Sequence, residues 1–289
     1  MSLPSQQSNL RVVSGETAGR EGFDPAPMER IDRAHALDRK RAPLAIQVKD
    51  CVLKYPIGAF ARGSLKSAAM SIFGHRNRQP TAQYVDALRG VNIEIQQGER
   101  VALIGHNGSG KSTLLRAMAG VYPLSGGYIR VSGRIGTLLE LGVGFEDEAT
   151  GRENIYYRGM AMGYSRRALA QSEKEIVAFC GLGDFIDLPV RTYSAGMYVR
   201  LAFAISTQFS PEVLLVDEVF GAGDATFRER AAERMMNIVN NAGIFVIATH
   251  DVGLVSRVCT RAIWLQAGRV VADGPADTVL QDYLAHQTG

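Results

Sequence analysis

The chain has 289 residues, is 46% apolar and carries a formal net charge of +3, which allows a substantial core in one large or two small domains and is too mild to argue for nucleic acid, while permitting a site beside acidic lipid. No apolar run approaches the ~18 residues of a membrane span, and the polar start Met1–Gln7 lacks the apolar stretch of a secretory leader. Cys51, Cys180 and Cys259 follow no metal-ligand spacing and read as small buried residues in a reducing compartment, so a soluble cytoplasmic protein is expected.

Residues 1–44 are rich in Ser, Gln, Pro and charge. Without sustained periodicity they read as a mobile or loosely docked extension, with a short helix over 28–38. Strand-like runs begin at Ala45–Leu53 and continue at Val91–Ile95 and Arg100–Ile104. Between the first two lies an insertion from Pro56 to about Ala82. It mixes basic and apolar residues (Leu65 to Phe73), as either a solvated loop or a partner- or membrane-facing amphipathic helix. A helix-like run, Thr113–Ala119, is followed by strands at Tyr128–Val131 and Ile135–Leu139. From Arg152 to about Cys180 the pattern turns helical, with Met160, Met162, Leu169 and Ile176 expected in the core. A second helix runs from Ser194 to about Phe209. Strands return at Val213–Val216, Phe245–Ala248 and Ala262–Leu265, separated by helices at Arg228–Asn240 and Leu254–Cys259. A last helix covers Asp277–Leu284. Strands alternating with helices predict an α/β fold, its mainly parallel sheet covered on both faces. The helical insert between Leu139 and Val213 forms a subdomain, about 140–209.

Chemistry is concentrated in three places. Gly105-His106-Asn107-Gly108-Ser109-Gly110-Lys111-Ser112 fits G-x-x-x-x-G-K-[ST] and sits between an apolar strand and a helix, the setting a phosphate-binding loop requires. Its glycines tolerate positive φ and close backbone approach. Successive N–H groups and the helix N-terminus then point at an anion. Lys111 can reach β- and γ-phosphates, and Ser112, followed by Thr113, can offer a hydroxyl to Mg²⁺. The bland alternative is a Gly-rich turn with a chance Lys-Ser; the flanking strand and helix favour a nucleoside triphosphate. Second, Val213-Leu214-Leu215-Val216-Asp217-Glu218 is a buried strand ending in two carboxylates, at the sheet edge where open α/β folds bind ligands. Asp217 suits a water-mediated Mg²⁺ contact, and Glu218 suits polarising an attacking water as general base. Third, Tyr193-Ser194-Ala195-Gly196-Met197 opens a helix. Alone it reads as an N-cap; with the other two motifs it reads as a second phosphate-binding device.

In this order the three motifs resemble the nucleotide-binding subunit of ATP-binding-cassette transporters. The resemblance covers roughly Ala45 to Leu284. It implies a P-loop NTPase, RecA-like core with an antiparallel β subdomain and the inserted helical subdomain, forming an ATPase domain over 45–286. Ser194 and Gly196 would cap the γ-phosphate held by the loop of a second copy. His250, in Thr249-His250-Asp251, would take the switch-histidine role with Glu218. Asp224, in Gly221-Ala222-Gly223-Asp224, would act in the loop that crosses the dimer interface. Tyr55 fits the aromatic that stacks on adenine, with Tyr84 as its rival. The sequence departs from the family at its usual metal-sensing Gln: Glu140 stands in that place. It also has Ala195 and Met197 where many members carry Gly and Gln.

Glu140-Leu141-Gly142-Val143-Gly144-Phe145, Thr150-Gly151-Arg152-Glu153-Asn154-Ile155 and Tyr193 to Ala202 are similar to the polysaccharide-export branch, which handles O-antigens, capsules, teichoic acids and galactan. The chain resembles that branch's short type, without an appended glycan-binding domain. The resemblance implies a homodimer with two ATP·Mg²⁺ between its subunits. It would lie on the cytoplasmic face of the membrane, partnered by an integral permease that moves a lipid-linked glycan. Export of another lipid or peptide, or a soluble cassette ATPase, are the alternatives.

Overall fold

The computed structural model describes residues 10–14, 45–57, 83–139, 144–217 and 225–287. The strands are β1 (Leu10–Ser14), β2 (Ala45–Ile57), β3 (Gln83–Gln96), β4 (Arg100–Ile104), β5 (Gly126–Ser132), β6 (Ile135–Leu138), β7 (Val213–Asp217), β8 (Ile244–Ala248), β9 (Arg261–Gln266) and β10 (Arg269–Pro275). The helices are α1 (Lys111–Met118), α2 (Gly151–Ala161), α3 (Arg166–Cys180), α4 (Ala195–Ser206), α5 (Ala225–Asn241), α6 (Val252–Val258) and α7 (Ala276–Gln287). A six-stranded sheet has the order β10-β9-β4-β8-β7-β6. It is parallel from β9 through β6, and only β10 runs antiparallel. A second sheet, β1-β5-β2-β3, is antiparallel throughout.

The parallel strands are buried on both faces, which is why they read as continuous apolar runs. Their side chains alternate between two cores. Val101, Leu103, Leu215, Val246 and Leu265 join the antiparallel sheet and α1 in one. Ala102, Leu214, Phe245, Ile247 and Trp264 pack with α5, α6 and α7 in the other. A third cluster belongs to the helical subdomain and includes Ile155, Ile176, Cys180, Leu201 and Ile205. Phe145 and Phe179 pack against both this cluster and the main one.

The expected elements recur with four differences. First, the extension contributes β1, which pairs with β5 from Leu10↔Ser132 to Ser14↔Tyr128; the composition of residues 1–44 gave no strand there. The helix expected over 28–38 and most of the 56–82 insertion lie outside the described residues. Second, β3 extends back from the expected Val91–Ile95 through an exposed stretch at Tyr84–Asp86, and β10 is additional, an edge strand with no fully buried residue. Third, the single helical stretch after Arg152 is two helices. Gly163 (φ 88°) breaks it, and Ser165 caps the second by accepting from Ala168 N–H. Fourth, Met160, expected in the core, is 44% exposed, whereas Leu169 and Ile176 are fully buried. The three cysteines are free and buried.

Each residue of Thr150-Gly151-Arg152-Glu153-Asn154-Ile155 has a structural task. Thr150 and Glu153 form a reciprocal capping box at the start of α2. A Cβ on Gly151 would stand 2.1 Å from the Tyr193 hydroxyl. Asn154 is fully buried; it accepts from Glu146 N–H (2.8 Å) and donates to the Glu146, Ala149 and Thr150 carbonyls. Arg152 donates to Glu173 (2.6 Å) and with two nitrogens to Asp187 (2.7 and 3.1 Å). Arg152 holds Asp187 below its usual carboxylate range, and the Tyr156 hydroxyl together with Arg152 does so for Glu173.

Because those carboxylate values are depressed in the folded state, their stabilisation is complete above the ordinary carboxylate pKa. It is lost as pH falls through the folded values. Arg152→Met should therefore lower Tm by about 2–4 °C at pH 7. The gap from wild type should be the same at pH 5 and shrink only below about pH 4. Scanning calorimetry across that series checks this; a gap closing by pH 6 would point to another group.

Candidate functional site

Four parallel strands end side by side at one edge of the large sheet, and their following loops build the site. In register, Leu103 of β4 lies beside Ala248 of β8, and Ala248 lies beside Asp217 of β7. The phosphate loop after β4, the Asp217 carboxylate and Thr249-His250 after β8 are thereby brought together, as a parallel sheet requires.

The loop is shaped by close packing on the turn between β9 and β10. Gly105 has φ 141°, and a Cβ there would lie 2.2 Å from the Leu265 carbonyl oxygen and 2.8 Å from Ser109 Oγ. Gly110 has φ 109°, with the Ala87 carbonyl 3.0 Å from any added Cβ. Gly268 N–H donates to the Ser109 carbonyl (2.9 Å), and Arg89 N–H donates to the Gly268 carbonyl (2.8 Å). The loop is thus pinned to β9, the β9–β10 turn and β3 at once. Its tip, His106-Asn107-Gly108, is exposed.

Lys111 is only 8% exposed and donates to the carbonyls of Gly105 (2.7 Å) and His106 (3.0 Å), filling the concavity of the loop. Burial pulls its ammonium below the ordinary value, and the Asp217 carboxylate opposes that shift. Ser112 Oγ donates to Asp217 Oδ1 at 3.0 Å, joining the first turn of α1 to the end of β7. Ser109 Oγ is buried with no hydrogen-bond partner among the described residues. It is an unmatched polar atom at the base of the loop, beside Gly105. The oxygens of Ser112 and Asp217 are hard donors of the kind Mg²⁺ takes.

His250 lines a cleft of about 500 Å³ with Gly105, His106, Asn107, Tyr283 and Gln287. Tyr55, at the other side of the loop, reaches Thr113 Oγ1 with its hydroxyl (3.5 Å) and sets its ring edge-on to Tyr122, centroids 5.5 Å apart. Tyr84 is exposed, opposite Pro56 in the β2–β3 register. Of the two tyrosines, Tyr55 touches the first turn of α1. Ser194 caps α4, accepting from Met197 N–H at 3.3 Å, and its own side is exposed. Beneath it the Tyr193 hydroxyl donates to the Phe185 carbonyl (2.7 Å), and burial raises that phenol to about 12.

The structure brings Gly105 to Thr113, Asp217, His250 and Tyr55 to one end of the sheet. Ser194 and Gly196 sit on the helical subdomain. Glu218, Glu140 and Asp224 lie outside the described residues. Two participants have no signal in the sequence motifs. Gly268 is an ordinary turn glycine until its partners are known. Tyr283 reads as one apolar position of a terminal helix.

Residues 88–221 match the family model described as ABC transporter. The chain is 44% identical over 228 residues to the O-antigen export system ATP-binding protein RfbE of Yersinia enterocolitica, covering 77% of this chain and 94% of that protein. The chain belongs to the ABC transporter family. A second relative, the O-antigen export system ATP-binding protein RfbB of Myxococcus xanthus, is 40% identical over 76% of this chain. The cassette spans only 50% of that longer relative. The teichoic acids export ATP-binding protein TagH of Enterococcus faecalis is 31% identical over 84% of the chain and 53% of its own length. Among solved structures, the fold matches a post-hydrolysis dimer of the ATP-binding cassette MJ0796 bound to ADP and Pi, with TM-score 0.59 and 20% identity, covering 80% of this chain and 98% of that one. The expected α/β cassette with its antiparallel β and helical subdomains is therefore the fold of this protein.

Gly105→Ala puts a Cβ into backbone that cannot retreat. It should cost about 1–3 kcal/mol of stability and lower nucleotide affinity at least tenfold. Chemical denaturation and equilibrium titration with MgATP check both.

Proposed function

We propose that this ABC cassette is the ATP-hydrolysing subunit of an exporter that moves a lipid-linked polysaccharide across the cytoplasmic membrane. The observation that carries the ATPase reading is the Ser112–Asp217 hydrogen bond at the mouth of the phosphate loop. It joins the loop's hydroxyl to the carboxylate strand, the pairing that positions Mg²⁺ on bound triphosphate. The cargo reading rests on the O-antigen and teichoic acid export relatives.

In this reading the loop N–H groups and Lys111 stabilise phosphate charge. When ATP binds, the Lys111 ammonium exchanges its contacts with the Gly105 and His106 carbonyls for phosphate oxygens. Its depressed pKa is then restored by the anion. Ser112 and Asp217 would hold Mg²⁺, which would supply charge neutralisation for the phosphates. Tyr55 flanks the adenine side. Glu218 accepts the proton of the attacking water, and His250 holds that water against the γ-phosphate. Glu140 stands where the metal-sensing residue of the family is found, and Asp224 acts across the dimer interface.

Ser194 and Gly196 act on the loop of a second copy. Their own fold supports this: a Cβ on Gly196 would meet only Ser194 Oγ, at 3.9 Å. Intrachain packing therefore does not demand glycine at that position, and space is left for an incoming phosphate. ATP closes the head-to-tail dimer, hydrolysis reopens it, and a permease partner at the cytoplasmic face converts that motion into export. Among the described residues no helix is long and apolar enough to cross a membrane, so in this reading the permease supplies the translocation path.

Glu218→Gln should reduce turnover by about 10²-fold or more, the scale of general-base removal. ATP binding should persist; near-normal hydrolysis would remove Glu218 from the role of base. The test of the whole reading is mild-detergent purification of the tagged chain with mass spectrometry. A stoichiometric multi-spanning partner carrying a polyprenyl-linked sugar is the expected result. A partnerless ATPase, with intact complex excluded by crosslinking in membranes before extraction, would overturn it.

A further inference from the structure

The exposed tip of the phosphate loop is not left to itself. His106 lies against Tyr283 of α7, ring centroids 5.9 Å apart and planes tilted by 54°. Tyr283 is only 5% exposed and is backed edge-on by Trp264 of β9 at 5.5 Å. Trp264 also meets His286, one turn further along α7, at 5.2 Å. The result is a continuous file of rings: His106, Tyr283, Trp264, His286. It starts at the second residue of the phosphate loop, passes through the buried packing of Tyr283 on Trp264, and ends at the exposed His286 near the end of α7.

That file shares a foundation with the base of the loop. Gly105 is pressed on the carbonyl of Leu265, the residue after Trp264. The base and the tip are therefore referred to the same body, β9 with α7. Tyr283 and Gln287 also line the cleft that holds His106, Asn107 and His250. A glycine-rich tip free in solvent would lose conformational entropy on closing round a phosphate. A tip already seated against a buried ring loses less, and binds more tightly without any added contact to the ligand.

We propose that Tyr283 is a positioning residue for ATP binding: it acts through His106, holding the tip of the phosphate loop in the shape that accepts the triphosphate. The inference rests on the ATPase reading of the same site. It also makes ATP affinity depend on how α7 is seated, because the ring travels with that helix.

The test uses the full chain and compares steady-state ATPase kinetics and equilibrium titration with MgATP and MgADP. Wild type is measured first; failure to bind or hydrolyse ATP would overturn the ATPase reading itself, and this inference with it. Given an active wild type, Tyr283→Ala should raise KM for ATP and weaken nucleotide binding about tenfold, with kcat within about twofold. Tyr283→Phe keeps the ring and should restore both values. His106→Ala should raise KM by a similar factor, and Tyr283→Ala with His106→Ala together should be no worse than either alone. Val239→Ala removes buried volume from the same core on α5, away from α7, and should lower Tm without moving KM. Should Tyr283→Ala fail to fold, Tyr283→Leu carries the same expectation. A folded Tyr283→Ala or Tyr283→Leu with wild-type KM would overturn the proposal, and so would fully multiplicative effects in the double variant.

Discussion

The phosphate loop depends on one close approach, that of Gly105 to the Leu265 carbonyl, reinforced by the bond from Gly268 N–H to Ser109. Any side chain at Gly105 would overlap backbone rather than a movable group, so the distance is held by two main chains with nothing soft between them. The same turn reaches the antiparallel sheet through Arg89 and Ala87. Three parts of the molecule thus converge on one knot of backbone: the strand that leads into the loop, the hairpin β9–β10, and β3. The direction in which α1 leaves the loop, and so the place where Lys111 and Ser112 stand, follows from that knot.

Electrostatics then work inside the frame. Burial disfavours the charge of Lys111, whose ammonium donates to two carbonyls of its own loop; Asp217 partly compensates across the mouth of the site. The cation is therefore short of negative partners until a phosphate arrives. Charge that is underpaid in the protein alone is recovered on binding, and the site consequently favours an anion with several oxygens.

The helical subdomain stands on a core of its own and shares Phe145 and Phe179 with the main body. Polar clasps, the Asn154 one fully buried, tie its helices together. Asn154 closes the loop that leads into α2, Arg152 ties α2 to α3 and to Asp187, and the Tyr193 hydroxyl reaches the Phe185 carbonyl beneath the residue that caps α4. A signature that looks like a recognition motif in the sequence is, for Thr150 to Ile155, an assembly kit for that subdomain. It carries Ser194 on a stiff support.

The sequence by itself determined the parts whose chemistry is local in the chain. The phosphate loop, the carboxylate strand and the Ser-x-Gly helix start are each defined by residues within a few positions of one another. The parallel strands announce themselves as apolar runs because both their faces are buried. The ABC family and its cassette fold were legible from the order of those motifs. Tertiary structure alone decided what depends on distant partners. Strand β1 finds its place only by pairing with β5, some 120 residues away in number, and β10, an edge strand with no fully buried residue, is defined by its pairing with β9. Met160 is exposed because the buried stripe of α2 runs through Gly151, Asn154, Ile155, Arg158 and Gly159, and position 160 lies off it. Between Tyr55 and Tyr84 the sequence left a choice; the β2–β3 register turns the first toward Thr113 and leaves the second exposed. Gly268 and Tyr283 are silent as letters. Each acquires a role only when the fold carries it against the phosphate loop, since a close approach is a property of two segments and one segment's composition cannot encode it.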